Sequence, residues 1–155
     1  MTVSLQELLV AHFNSVFEGP NGDYPAVLEI ITGMDASLAA WKPETGMNSI
    51  WQIVDHLTDS KKWQIEMLEK GRADPPEWMQ PDGSQSGWQA AQIRLRETHG
   101  LLMAALRQIP EDRLLACPGP EEDQTLMELL LSIAAHEAHH CGQIDYLKGL
   151  RAEHP

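Results

Sequence analysis

Cysteine is scarce in this chain. The two that occur, Cys117 and Cys141, form no CxxC pair and suggest no disulfide framework, which fits a reducing compartment. Basic residues are also few. Eleven Lys and Arg stand against 23 Asp and Glu, for a formal net charge of −12. Affinity for nucleic acid comes largely from Lys and Arg neutralising phosphates, so binding to DNA, RNA or anionic lipid is not expected. No apolar run approaches the ~20 residues needed to span a bilayer. The opening stretch MTVSLQELLVAHF lacks a basic segment ahead of an apolar one, so no signal peptide and a cytoplasmic location are expected. Strand-length alternating runs, internal repeats and a low-complexity tail are missing too.

What is present reads as helix. With 155 residues, 43% of them hydrophobic, residues 1–155 are most simply one domain with a real core. Four segments open with S/T-x-x-E/Q: Ser4 to Glu7, Ser49 to Gln52, Ser86 to Gln89 and Thr125 to Glu128. This is the capping box, which satisfies two orphan N–H groups at a helix start. Helices are therefore expected over about 4–17, 49–70, 88–108 and 125–147, with a shorter helical piece over about 26–40. Ile50, Ile53, Val54, Leu57 and Leu68 form the stripe of the second long helix; Ile93, Leu95, Leu102 and Leu106 form that of the third. The stretch GRADPPEWMQPDGSQSG between them is long for a bundle, and such loops are often functional. The fold class is all-α, an up-and-down four-helix bundle.

The last helix contains AAHEAHHCGQIDYLKG, with three of the seven histidines close together. At about 100° per residue, Leu126, Leu129, Leu130, Ile133, Ile144 and Leu147 define its apolar stripe. His140 falls inside that stripe and His136 near its edge, whereas His139 points to the flank or solvent. Two inward imidazoles one turn apart are a chelating pair for a transition metal. As a plain packing alternative, each ring would be hydrogen-bonded in the core. His56, in NSIWQIVDHLTDSKKW, lies at the stripe edge of another long helix, beside Ser60, Trp63 and Met67, and could supply a third nitrogen across the bundle. Three protein nitrogens leave positions open for water or substrate.

His136, Glu137 and His140 also spell H-E-x-x-H, the zinc-protease signature. The extended form needs a glycine and a histidine where this chain has Gln143 and Tyr146. Only 15 residues follow His140, and no strand is at hand to bind a peptide. Glu137 lies about 60° from His140 on the helix, placed to hydrogen-bond a ligand from behind or to sit at the bundle mouth. A protease is not the expected reading. Cys141 is turned about 100° from His140, away from a ligand position. The tryptophans Trp51, Trp63, Trp78 and Trp88 read as core or rim packing.

Three stretches carry a family resemblance. AAWKPETGMNSIWQIVDHLTDS, HEAHHCGQI and FEGPNGDYPAVLEIITGMDASLAAWKP resemble the DinB-like superfamily of four-helix metalloproteins, the last of them its YfiT-type branch. The resemblance implies a divalent metal, usually nickel, zinc or iron-like, held by His56, His136 and His140 with waters completing the shell. It also implies frequent homodimers. Relatives include transferases and isomerases that use low-molecular-weight thiols, so a metal-dependent thiol S-transferase or isomerase acting on a small molecule is the leading expectation. The alternative is a non-enzymatic metal-stabilised or metal-sensing module, and a metal-dependent hydrolase ranks below both. Glu137 and Asp59 are the nearest acidic candidates for holding a ligating histidine or for proton transfer. His139 offers an i, i+3 alternative with His136.

Overall fold

The computed structural model describes residues 3–44, 46–71, 80–119 and 123–153. Within them lie seven helices: α1 (Leu5–Phe17), α2 (Val27–Ile31), α3 (Ala36–Ala40), α4 (Ile50–Lys70), α5 (Gln85–Arg107), α6 (Glu111–Leu114) and α7 (Leu126–Glu153). No strand occurs among the described residues. The all-α, four-helix expectation holds, with α1, α4, α5 and α7 as the long helices.

The starts follow the capping chemistry, with one displacement. Ser4 caps α1 and Ser49 caps α4, each with its reciprocal Glu7 or Gln52. Thr125 and Glu128 make the same exchange at α7. At α5 the cap is Ser84, not Ser86. Ser84 Oγ accepts from Gly87 N at 3.0 Å, and Asp82 Oδ1 accepts from Ser84 N at 2.8 Å. A Cβ at Gly87 would sit 2.5 Å from Asp82 Oδ1, so a side chain there would displace the Asp82 carboxylate from this start. The earlier start adds a turn that Gln85 ties to α3, its Oε1 accepting from Ala36 N at 2.9 Å. At the other end of α4, Gly71 takes φ +71, a left-handed cap that glycine adopts without Cβ strain. The expected 26–40 piece is two short helices, and α7 runs six residues past its expected end.

Helix α1 packs on α5 and α7, and α4 packs on the same two. Direction follows from paired contacts. Trp51 meets Trp88, Asp55 accepts from Arg94 at 3.1 Å, and Leu68 O accepts from Arg113 at 2.8 Å, so α4 and α5 run parallel. Asn14 pairs with His99 and Gln6 with Ile109 O, so α1 opposes α5. Lys61 pairs with Glu137, and His56 faces His140, so α7 opposes α4. The long helices go up, down, down, up; strict alternation gives way at the α4–α5 step. That step sets the length of the connecting loop. The 21 residues of α4 at ~1.5 Å each span about 30 Å, and a chain advancing ~3.3 Å per residue needs about nine residues to return. Residues 72–79 of that loop, with Trp78, lie outside the described residues.

The interior has two apolar halves. One gathers Phe17, α2, α3, Ile50 to Leu57, Trp88 to Leu95, and Cys141 to Leu147. The other gathers Leu9 to Phe13, Leu68, Leu102 to Ile109, Leu114, Leu130 and Ala134. Polar side chains are buried on the helix segments between these halves, among them Thr58, Lys61, Gln64, Thr98, His99 and Glu137. Ile93, expected inward on α5, is 55% exposed.

Candidate metal centre

Two helices bring the site together. On α4, the buried Ile53, Val54 and Leu57 turn one face to the core, which leaves His56 half-buried at its edge. On α7, His140 is 7% exposed, and His136, one turn earlier, reaches the surface. Because α4 and α7 oppose each other, one imidazole from α4 meets two from α7. The rings of His56, His136 and His140 lie 4.4–5.5 Å apart between centroids. One nitrogen from each falls within 4.8 Å of the others, a group that could hold a metal ion.

The closest pair of donors fits such an ion. His140 Nε2 and His136 Nε2 are 3.0 Å apart. Two nitrogens bound at about 2.0–2.1 Å with roughly 90–110° between them would stand about 2.9–3.4 Å apart. His140 Nδ1 lies 2.6 Å from Gln143 Oε1, and an amide oxygen only accepts, so Nδ1 carries the proton. The lone pair of His140 is thereby turned onto Nε2, facing His136. This outer hydrogen bond is the usual means by which a ligating histidine is fixed in tautomer and orientation.

Electrostatics favour neutral rings. Burial pushes His140 down to about 4, against the hydrogen bond to Gln143 and with the neighbouring histidines adding to the shift. Burial lowers His56 as well, helped by His136 and opposed by Asp59. His136 is lowered by burial and by His139. Neutral imidazole is the form that binds metal.

The remaining candidates separate. His139 is exposed and falls outside the three-histidine group. Asp59 accepts from Lys62 at 2.8 Å on the surface side of α4. Glu137 is 3% exposed and its Oε2 accepts from the buried Lys61 at 2.6 Å; its Oε1 is buried with no partner. It therefore sits in the buried polar layer and not at the bundle mouth. Cys141 is buried, and burial raises its thiol to about 12, the mark of an inert sulfur. His12 is exposed, and His99 is buried against Phe17 and Asn14; His154 lies outside the described residues.

Two residues escape a reading by periodicity. Gln143 stands three residues after His140 and so shares its face, a spacing that could have marked it. Lys61 sits on a face where a helical wheel expects apolar side chains. Its charge is accommodated because Glu137 arrives from another helix and the Phe17 ring lies 4.9 Å from its Nζ. A small cleft of about 170 Å³ opens beside His136, lined also by Ser60, Trp63, Gln64 and Ile133.

No helix among the described residues is long and apolar enough to cross a membrane. No curated protein and no solved structure matches the chain. The family model of the DinB superfamily matches residues 23–144, more than three-quarters of the chain, a range that contains His56, His136 and His140. With that match and a three-histidine group in an all-helical bundle, the chain belongs to the DinB superfamily.

Proposed function

We propose that His56, His136 and His140 bind one divalent transition metal, and that the protein is a metal-dependent enzyme acting on a small molecule. The observation that carries this reading is the 3.0 Å approach of two Nε2 atoms, with Gln143 holding His140 in the ligating tautomer. His56 completes a three-nitrogen face. Nickel, zinc and iron all suit imidazole.

Surface exposure at His136 and the adjoining cleft support an open site, the form catalytic metal centres take. A bound divalent metal would supply Lewis acidity there, deprotonating a coordinated thiol. The chain's own residues orient the donors, keep the rings neutral and exclude water from the His140 side. A low-molecular-weight thiol is accordingly the proposed co-substrate, in S-transfer or isomerisation. Hydrolysis with Glu137 as base is less well supported, because that carboxylate is buried and committed to Lys61. A cytoplasmic homodimer is the proposed setting.

The test is elemental analysis of untagged protein, followed by titration of the metal-free form with nickel and zinc near pH 7. About one metal per chain, lost in His56→Ala, His136→Ala and His140→Ala, is the expected result. No bound metal and no binding on titration would overturn the reading. Metal that stabilises the fold strongly, with no exchangeable water and no turnover on thiol and electrophile panels, would assign a non-enzymatic module instead.

A further inference from the structure

The apolar stripe of α7 is not fully covered by the described residues. Leu126, Leu129 and Ile133 belong to it, yet each is only half-buried, unlike Leu130, Ile144 and Leu147. Their free sides line a second cavity of about 460 Å³ between α7 and the C-terminal half of α4. That volume lies within the range of small-molecule sites, ~300–1,000 Å³. Trp63, Met67 and Leu68 form the α4 wall, and Arg113 stands at the rim.

The cavity is continuous in lining with the cleft at the three histidines. Trp63, Gln64 and Ile133 line both spaces, and His136 closes the near end. Gln64 is 3% exposed, and its Oε1 has no hydrogen-bond partner. That buried acceptor belongs to a residue in the wall the two spaces share. At the far end, Arg113 donates through one Nη2 to Leu68 O at 2.8 Å and pairs with no carboxylate among the described residues. An exposed arginine without a carboxylate partner among the described residues offers local positive charge to an anion. With one Nη2 hydrogen committed to a backbone carbonyl, the guanidinium keeps N–H groups free for a two-pronged pair with a carboxylate.

We propose that this groove binds an elongated amphipathic carboxylate. Its apolar body lies between α4 and α7, its carboxylate meets Arg113, and its other end is directed past Gln64 towards the three histidines. The span sets the length. His136 and Leu126 are ten residues apart on one helix, about 15 Å at ~1.5 Å per residue. The proposal adds a substrate class to the metal-site reading and rests on that reading only for the reactive end.

Decanoate and decanol, titrated by calorimetry, test the groove in metal-free and in zinc-loaded protein. Decanoate is expected to bind the metal-free protein at least tenfold more tightly than decanol. Arg113→Gln should remove that preference while keeping decanol binding. Ile133→Trp should abolish both, and Leu129→Trp serves as a second blocking variant, with thermal melts confirming which variant is folded. Equal affinity for the two probes, or decanoate binding that survives a folded blocking variant, overturns the proposal. Because the first comparison is made without metal, a failure of the groove is distinguishable from a failure of the metal site. Binding in the metal-free form with no metal uptake would retain the groove and discard the metal reading.

Discussion

Lys61 and Glu137 meet at 2.6 Å in the bundle interior, at 1% and 3% side-chain exposure. Both charges stand beside the metal-site histidines in sequence: Glu137 follows His136 directly, and Lys61 lies five residues after His56. The pair joins the same two helices as the three imidazoles. It therefore ties α7 to α4 one turn from the site.

Removing one partner leaves a buried charge without compensation. Lys61→Met is expected to lower unfolding stability by about 3–5 kcal/mol, read from urea midpoints of the metal-free protein. Lys61→Met with Glu137→Leu should recover most of that loss, since a well-packed apolar replacement of a buried pair is often neutral. If Lys61→Met costs no more than a surface substitution, the pair is not buried as described.

Gln143→Ala should weaken metal binding by about 10- to 100-fold, because the tautomer and orientation of His140 are then no longer held. His139→Ala should leave affinity within about twofold. Competition titration with a chromophoric chelator measures both. A large loss in His139→Ala would move the site onto the i, i+3 pair.

Acid should destabilise the metal-free protein earlier than carboxylates alone would. Burial, with Lys61 nearby, pushes His99 down to about 3, and burial pushes His140 down to about 4, from an ordinary 6.5. A histidine depressed in the fold binds protons more readily when unfolded. Its contribution is complete above pH ~6.5 and is lost as the pH falls towards the folded values, at about 1.4 kcal/mol per pH unit for each ring. His99 alone then accounts for about 2 kcal/mol between pH 6.5 and 5. Equal urea midpoints at pH 7 and 5 would contradict this, and His99→Gln should flatten the dependence.

Gly100 lies inside α5, and a Cβ there would meet nothing within 4 Å. Gly100→Ala should stabilise the bundle by about 0.5–1 kcal/mol, raising Tm by about 1–4 °C, since alanine loses less backbone freedom in a helix. Calorimetric melting checks it; a lower Tm would mean that this face of α5 is covered.

Much of this architecture is written locally. Ser4, Ser49 and Thr125 with their partners mark three helix starts through hydrogen bonds that span only three residues. The same periodicity turns His136 and His140 together, sets His139 aside and places Ile50 to Leu57 inward. Those features depend on neighbours within a turn or two, so they are legible along the chain. The cap at Ser84 was not, because Asp82 and the tie from Gln85 to Ala36 together outweigh the Ser86 pattern. The parallel run of α4 and α5, the meeting of His56 with the pair on α7, the Lys61–Glu137 pair, and the uncovered side of Leu126, Leu129 and Ile133 are contacts between segments far apart in the chain. Helical periodicity sets which face of a helix turns inward. Which helix meets that face, and whether it covers the whole of it, depends on packing the four helices together.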